Sequence, residues 1–492
     1  MGDREPGSEQ QSFVLFPVKL KNGKIVYYAS DYSEPLGGSV YKGYQCTLRS
    51  PQTELKPCRV KKEDITLDKT QAVALKFYEA GKHPSPYQFY DSEIATLKLA
   101  GKDVLIMEYI DGFHIHPEGE KNPQLRELNF IQVVDVAWQL IQGLNSRHYN
   151  NTFGPSVVHG DIKGSNVKIR IKKTLNGNIY QVDVCYIDDD YAKPIVSNPQ
   201  CPQGTLEHFA IELLDGYYSE SSDFFALSPL LLTLFGANNP LQRILNFRNT
   251  HPGMAGVDLV KQYLELGFSN DGLFEHFEKK PEAFICELVK NFIMKMAAKY
   301  KQDRPNPEAI LEFFTALRQF CLIDEANVDR DFNVLRLRIA AQDKTWLTEK
   351  KYPTLLLSLE NHFQDRLIAL MDPEQRVNLH NLLLNIEGTL ILRDKLRKMV
   401  AVDLAELSKS IKPPSRLSSL FSSPVTQKDL DWLLRCYEQN DSVEFDSPTN
   451  KAMRKKLKDC SEKHLASLIS VITAGFSSST ELIKSPQIPS MA

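Results

Sequence analysis

Short apolar runs with the patterning of β-strands occupy the first part of the chain. They lie at 13–18, 24–28, 72–78, 104–110, 167–171 and 179–187. The first two flank Asn22-Gly23, a dipeptide that favours a tight hairpin turn. The polar and charged stretch at 47–70 interrupts the series, and we expect it to be an insertion between strands. The pattern therefore predicts a β-rich N-terminal part.

The apolar positions of residues 128–148 follow the helical period of 3.6 residues instead. They predict a helix with one buried face, formed by Phe130, Val133, Val134, Ala137, Leu140, Ile141 and Leu144. This helix leads directly into the apolar pair Val157-Val158.

The last third of the chain is patterned as helices. One stripe consists of Leu355, Leu359, Phe363, Leu367 and Leu370, and the next consists of Val377, Leu379, Leu382, Leu383, Ile386, Leu390 and Ile391. Between them, Asp372-Pro373-Glu374-Gln375 has an N-cap acid, a proline at the first helical position and a glutamine two residues later. Further helices are expected at 426–439 and 448–474. We predict an all-α accessory region at 325–475.

Composition and charge narrow the class of protein. The 492 residues suffice for two to four domains, and a formal net charge of -3 gives no general attraction to nucleic acid or membranes. No apolar run reaches about 18 residues, so we expect no transmembrane segment. The eight cysteines are scattered without a CxxC pair, which argues against disulfides or zinc and fits a reducing, intracellular compartment.

The candidate chemistry lies in the segment 157–167, Val-Val-His-Gly-Asp-Ile-Lys-Gly-Ser-Asn-Val. An acid (Asp161), a cation (Lys163) and an amide (Asn166) fall within six residues, and the acids of 188–190 follow about twenty residues later. Phosphoryl transfer needs a carboxylate for the attacking hydroxyl, a cation for the moving phosphoryl group, and oxygen ligands for Mg²⁺. A polar turn between two strands is the alternative interpretation.

Here the sequence resembles the protein-kinase catalytic loop and the metal-binding loop that follows it. The resemblance implies that Asp161 is the general base, that Lys163 assists it as in Ser/Thr kinases, and that Asn166 and Asp188 hold Mg²⁺ or Mn²⁺. His159 is expected to be a packing and hydrogen-bonding residue.

Two departures from the family pattern stand out. Gly160 replaces the usual arginine that pairs with an activation-loop phosphate, so we predict activity that does not depend on such a phosphate. Asp189 and Asp190 replace the usual Phe and Gly, which removes an apolar plug and favours a pseudokinase scaffold as one alternative.

The resemblance extends to the phosphate-binding elements. Gly37, Gly38 and Val40 resemble the end of a glycine-rich loop, although the first two glycines of that motif are absent. Ala74 and Lys76 match the strand motif whose lysine grips the α- and β-phosphates of ATP.

The carboxylate partner of the Lys76 side chain is expected on a following helix, and Glu93 has suitable spacing. The alternative is that 95–99 and 104–110 form a hairpin around 101–103, with that helix shortened or displaced. At the end of the strand, Met107 is expected as the gatekeeper, and the backbones of Glu108 and Ile110 as contacts to adenine.

Later motifs separate protein kinases from small-molecule phosphotransferases of the aminoglycoside and choline type, which share the core. Residues 204–214 match the pattern GTxxYxAPELL. Asp223 matches the aspartate that caps the catalytic-loop backbone, and Arg304 is expected to pair with Glu212. The small-molecule phosphotransferases lack the Glu212–Arg304 arrangement.

The sequence thus predicts an α+β, bilobal, protein-kinase-like fold with a small β-rich N-lobe and a helical C-lobe, followed by an all-α region. The predicted boundaries are a disordered 1–12, a kinase domain at 13–320 (N-lobe 13–110, C-lobe 111–320), the accessory region with a Ser/Pro-rich linker at 408–424, and a flexible tail at 476–492.

The reaction implied by the resemblance is transfer from ATP to Ser or Thr of a protein substrate. The style of the divergence resembles bacterial effector kinases that are secreted into host cells. The helical region is a candidate site for a protein partner, and no nucleic-acid partner is expected.

Overall fold

The computed structural model describes residues 12–20, 22–37, 39–50, 56–84, 93–117, 123–149, 156–174, 179–195, 200–323, 328–384, 386, 388–409, 427–439 and the single positions 451, 457, 469 and 472. The chain divides into two compact units, residues 1–307 and 308–492. Predictions for residues 1–11, most of the 408–424 linker, most of the helix at 448–474 and the tail at 476–492 lie outside the described residues.

The first unit begins with an antiparallel sheet in the order β5-β1-β2-β4-β6-β8-β7, with β3 paired to β4. Its strands are β1 (Ser12–Lys19), β2 (Ile25–Ser30), β3 (Pro35–Gly37), β4 (Val40–Leu48), β5 (Cys58–Lys61), β6 (Ile65–Phe77), β7 (Glu93–Leu99) and β8 (Lys102–Glu108). The β1–β2 hairpin confirms the turn predicted at Asn22-Gly23, where Gly23 has φ +81°. Alternate apolar residues such as Phe16, Leu75 and Ile106 form a buried core on one face of the sheet.

The predicted insertion at 47–70 is wrong for its described part. Residues 58–61 form an edge strand beside β1, and β6 already begins at Ile65. Ile65 and Leu67 alternate with polar residues, and they contribute to a small apolar core together with Cys58 and Val60. The charged residues between them masked a period-two pattern that the sheet uses.

The helix expected to carry Glu93 is also wrong. Glu93 is the first residue of β7, which pairs with β8 across a tight turn at Ala100-Gly101. Both turn residues have positive φ, +50° and +82°, as such hairpin turns require. Ala95, Leu97 and Leu99 alternate onto the apolar core of the sheet, which favours a strand. The alternative hairpin interpretation is the one observed.

The rest of the first unit is mainly helical. Its helices are α1 (Pro123–Arg126), α2 (Phe130–Tyr149), α3 (Glu220–Leu234), α4 (Gln242–Thr250), α5 (Gly256–Leu266) and α6 (Ala283–Met296). Its strands pair as β9 (Val157–Val158) with β12 (Lys193–Pro194) and β10 (Val167–Lys173) with β11 (Ile179–Tyr186). The seven apolar residues predicted to face inward from α2 are all buried, which confirms the one-faced helix.

The second unit is described as helices, in agreement with the all-α prediction. They are α7 (Pro307–Cys321), α8 (Val328–Ala340), α9 (Lys351–Ser358), α10 (Asn361–Leu370), α11 (Pro373–Leu383), α12 (Leu390–Lys409) and α13 (Gln427–Gln439). The predicted helix start is confirmed, because Asp372 accepts a hydrogen bond from the Gln375 backbone N–H and the Gln375 side chain bonds back. The two stripes are less continuous than predicted: α9 and α10 break at 359–360, and Leu390 and Ile391 are exposed.

The division into units falls after Pro307, whereas the predicted end of the first domain is residue 320. The predicted domain boundaries stay predictions. Within the described residues, no helix combines the length and the apolar character needed to cross a membrane. A β-rich part, a helical part and a further helical unit thus follow one another as the α+β prediction requires.

Candidate active site

A cavity of about 440 Å³ lies between the sheet and the loops that follow β9 and β11. Its size falls in the range of small-molecule sites, roughly 300–1,000 Å³. The predicted site residues that line it are Val40, Ala74, Lys76, Met107, Glu108, Ile110, Lys163, Asn166 and Asp188. Gly37 ends β3, and Gly38 lies outside the described residues. The structure therefore brings predicted site residues that lie far apart in the sequence, from Val40 to Asp188, around one cavity.

Asp161 is buried and has a defined partner for each carboxylate oxygen. Its Oδ2 lies 2.7 Å from Lys163 Nζ, and its Oδ1 accepts hydrogen bonds of 2.8 Å from both the backbone N–H and the hydroxyl of Thr205. Burial by itself would raise the pKa of Asp161, but the contacts with Lys163 and Thr205 outweigh it and leave the pKa lowered. The carboxylate is thereby kept ionised.

The loop at 157–167 is held by Asp223, which is fully buried near the start of α3. Asp223 accepts hydrogen bonds from the backbone N–H groups of His159 (2.7 Å) and Gly160 (3.0 Å), and it lies 2.9 Å from His148 Nε2. Burial would raise its pKa, yet these bonds leave the pKa lowered. One carboxylate thus fixes the backbone just before Asp161.

Gly160 has a backbone reason to be glycine. Its φ is +75°, and a Cβ there would lie 2.6 Å from the backbone oxygen of Tyr191. Any side chain would have to displace that backbone, so an arginine does not fit in this arrangement. The departure noted in the sequence is built into the loop's path.

Asn166 and Asp188 both line the cavity. Asn166 donates from Nδ2 to the backbone oxygen of Asp161 at 2.9 Å, and the Ile187 N–H donates to the Asn166 backbone oxygen, also at 2.9 Å. Asp188 has φ +66°, an uncommon backbone conformation for a non-glycine residue. The Asn166 side chain is thus held by the Asp161 backbone, and the backbones beside Asn166 and Asp188 are joined by a hydrogen bond.

This pair fits a hard divalent cation. One carboxylate and one amide supply the oxygen ligands that Mg²⁺ accepts, with substrate phosphates and water completing the shell. The described residues contain no cluster of three or more His, Cys, Asp or Glu that would hold a metal alone.

Lys76 reaches the same cavity from β6. Its Nζ lies 2.6 Å from Asp188 Oδ1 and 2.7 Å from Asp190 Oδ2. Burial would lower the pKa of Lys76, but the two carboxylates outweigh it and leave the pKa raised. The expected partner, Glu93, begins a strand rather than sitting on a helix, and its side chain lies outside the described residues.

Asp189, between these two acids, turns to the helical part. Its carboxylate forms a buried ion pair with Arg147, whose side chain is fully buried on the last turn of α2. His159 Nε2 lies 3.9 Å from the same carboxylate. Each of the three consecutive acids therefore has a defined cationic neighbour.

The side chains of Arg304 and Glu212 are in direct contact. Arg304 binds Glu212 through two bonds, Nη1 to Oε1 at 2.7 Å and Nη2 to Oε2 at 3.1 Å. Its side chain is almost completely buried.

Glu108 ends β8 opposite Val73, and the next residue, Tyr109, donates its N–H to the Ala72 backbone oxygen at 3.4 Å.

Sequence reasoning missed three residues that organise the site: Thr205, Tyr78 and Arg147. Thr205 lay inside a recognised motif but was given no role. Tyr78 follows Lys76 by two residues, and the strand pattern predicted for 72–78 would place both side chains on one face. Arg147 continues the buried stripe of α2 three residues after Leu144, and a charge at such a position signals a buried partner.

One comparison with known proteins identifies a family for this chain. A family model described as "Protein kinase domain" matches residues 38–314, which span the loop at 157–167, the acids 188–190 and the Glu212–Arg304 pair. Among solved structures, the kinase PK-1 of Cydia pomonella granulovirus is similar to this chain, with 16% sequence identity and a TM-score of 0.38. That match covers 58% of this chain and 93% of the viral one. No curated protein matches the chain.

Proposed function

We propose that this chain, which belongs to the protein kinase family, transfers the γ-phosphoryl group of ATP to Ser or Thr hydroxyls of a protein substrate. The observation that carries the proposal is the arrangement around Asp161. An ionised, buried carboxylate is paired with the Lys163 ammonium, and Lys163 also lines the cavity that holds Lys76 and Asp188. A base, a phosphate-binding cation and metal ligands thus share one site.

ATP would enter the cavity with its adenine toward Met107, Glu108 and Ile110 and its phosphates toward Lys76. The apolar side chains of Val40 and Ala74 line the space between these ends. Asn166 and Asp188 would hold Mg²⁺ or Mn²⁺, which supplies charge neutralisation for the phosphates when bound.

Asp161 would orient the substrate hydroxyl and accept its proton as the phosphoryl group is transferred. Its lowered pKa keeps it unprotonated at neutral pH, as this role requires. Lys163, 2.7 Å from the Asp161 carboxylate, would neutralise the charge on the transferring group. General-base assistance of this kind contributes roughly 10²–10⁴ in rate.

Specificity for Ser and Thr is supported by Lys163, whose position resembles that of Ser/Thr kinases. Because Thr205 binds Asp161 through both its backbone and its hydroxyl, the segment that leads into 204–212 is tied to the proposed base. A protein substrate docked on that segment would present its hydroxyl next to Asp161.

The test is transfer of radiolabelled phosphate from ATP to a generic protein substrate, with Mg²⁺ or Mn²⁺. The wild-type chain is expected to label the protein on Ser and Thr, and Asp161→Asn is expected to lose activity by at least about a hundredfold. Asp183→Asn is the matched control, because Asp183 is a partly exposed acid on β11, away from the cavity.

Each alternative has its own outcome. Nucleotide binding without transfer in the wild type would indicate a pseudokinase scaffold. Label on an aminoglycoside or choline instead of protein would indicate a small-molecule phosphotransferase. Equal activity of wild type and Asp161→Asn would contradict the role of Asp161.

We also propose that the protein acts as an effector kinase inside a host cell, on the basis of its divergent motifs. Phosphoproteomes of cells that express the wild type or Asp161→Asn would test this. Host sites that lose phosphate in the variant support the proposal, and identical phosphoproteomes contradict it.

A further inference from the structure

Asp190 is fixed on both of its carboxylate oxygens. Oδ2 lies 2.7 Å from Lys76 Nζ, and Oδ1 accepts a hydrogen bond of 2.7 Å from the Tyr78 hydroxyl. Tyr78 is 6% exposed, so its hydroxyl is held by the surrounding packing. The Tyr78 hydroxyl therefore orients the Asp190 carboxylate, and the carboxylate contacts the Lys76 ammonium.

Lys76 is the second-last residue of β6, and Tyr78 is the first residue after the strand. The Lys76 ammonium lies 5.5 Å from the centre of the Tyr78 ring, close enough for a cation–π contact. Lys76, Tyr78 and Asp190 thus lie in mutual contact.

Asp188, the second carboxylate on Lys76, has a competing role. It belongs with Asn166 to the ligand pair that suits a divalent cation, and a bound ion would draw on its oxygens. Lys76 would then lose part of this contact at the moment when its ammonium must face phosphates. A carboxylate that stays on Lys76 throughout must come from elsewhere, and Asp190 is the one with a buried hydroxyl behind it.

We propose that Asp190 is the positioning residue for Lys76, the role that sequence reasoning gave to Glu93. Asp190 holds the ammonium of Lys76 toward the nucleotide's phosphates, and Tyr78 holds Asp190. This inference rests on the proposed function, since it assumes that ATP occupies the cavity.

The direction in which ATP affinity changes when the Asp190 charge is removed distinguishes a positioning role from a purely electrostatic one. Asp190 lines the cavity and carries a negative charge, as ATP does. If Asp190 acted only through that charge, removing it would strengthen ATP binding. If it positions Lys76, removing it weakens ATP binding, because the ammonium loses its fixed direction.

The experiment measures the affinity of the full chain for a fluorescent ATP analogue in the presence of Mg²⁺, with ATP as competitor. Asp190→Asn is expected to weaken binding by about tenfold, a change of roughly 1.4 kcal/mol. Tyr78→Phe, which removes only the hydroxyl, is expected to weaken binding in the same direction by about threefold. In a Lys76→Met background, Asp190→Asn is expected to cause no further weakening.

The matched control is Asp183→Asn, which is expected to bind the analogue like the wild type. Thermal unfolding of each variant checks folding, and Tyr78→Phe decides the question if Asp190→Asn fails to fold. Equal or tighter binding by the decisive variant overturns the inference, as does an undiminished effect of Asp190→Asn in the Lys76→Met background. Absence of nucleotide binding in the wild type overturns the proposed function itself.

Discussion

The loop at 157–167 and the acidic loop at 187–190 lie side by side in the site but are held by different forces. In the first, the backbone N–H groups of His159 and Gly160 bind the buried Asp223 carboxylate. In the second, three consecutive carboxylates form ion pairs with other elements. Asp188 and Asp190 pair with Lys76, and Asp189 pairs with Arg147. The first loop depends on backbone hydrogen bonds, and the second depends on charge.

This difference decides how each loop tolerates change. A backbone donor is present whatever the side chain is, so the bonds from His159 and Gly160 depend on Asp223 and not on the His159 side chain. An ion pair fails when either partner changes, and burial makes the remaining charge costly. The acidic loop should therefore be the more sensitive to single neutral substitutions and the more easily repaired by paired ones.

The largest expected effect comes from breaking the Arg147–Asp189 pair. Arg147→Met removes the Arg147 guanidinium from the Asp189 carboxylate, which is 9% exposed, and the stability to chemical denaturation should fall by about 3–5 kcal/mol. The double variant Arg147→Met/Asp189→Leu replaces the pair by apolar groups and should recover most of that loss. A double variant as unstable as the single one would show that the pair is not what stabilises the loop.

The next effect should come from Asp223→Asn. The amide places an NH₂ group where a carboxylate oxygen now accepts a hydrogen bond, and the loss should be about 1–3 kcal/mol. Because the backbone before Asp161 would shift, phosphoryl transfer should fall more than ATP binding does. Asp258→Asn, on the exposed face of α5, serves as the control, and a variant with unchanged transfer would contradict the backbone role.

A smaller effect is expected from Thr205→Val, which removes one donor to Asp161 and keeps the backbone donor. The loss of one hydrogen bond should lower the rate by less than about tenfold at neutral pH. Asp161 must be ionised to act, and its lowered pKa should move upward when this donor is lost. The acidic limb of the pH–rate profile should therefore shift to higher pH, a change that Thr250→Val on α4 should not produce.

The smallest effect is expected from a negative charge in the activation segment. Ser197→Glu, at a position outside the described residues, should leave the rate within about twofold of Ser197→Ala, because Gly160 offers no arginine to bind it. The segment has other anchors: β12 pairs with β9, and Lys193 donates to the Cys201 backbone oxygen at 2.9 Å. A large gain in rate would mean that another cation receives the charge.

The same contrast explains what the sequence could predict. The spacing of Asp161, Lys163 and Asn166 is local, so the loop that carries them was recognisable from residue order alone. Arg304 and Glu212 lie far apart in sequence but each falls in a motif, and the structure brings them together. Roles that depend on motifs are thus accessible without coordinates.

Partner choice in the acidic loop could not be predicted in this way. Glu93 had suitable spacing for Lys76, but spacing did not reveal that Ala95, Leu97 and Leu99 would cover the sheet and make a strand. Nor did sequence spacing connect Arg147 with Asp189, 42 residues later, or Tyr78 with Asp190. Side-chain charges find partners through tertiary packing, which a linear pattern does not record.

Asp189 also bears on inhibitor selectivity. Where the family pattern has an apolar ring, this cavity is lined by three adjacent carboxylates. A compound that extends past Met107 and seeks an apolar recess would have to displace a buried ion pair to find one. An adenine mimic with an amine at that end would meet complementary charge, so the acids 188–190 offer a chemical handle for distinguishing this enzyme from kinases that keep the ring.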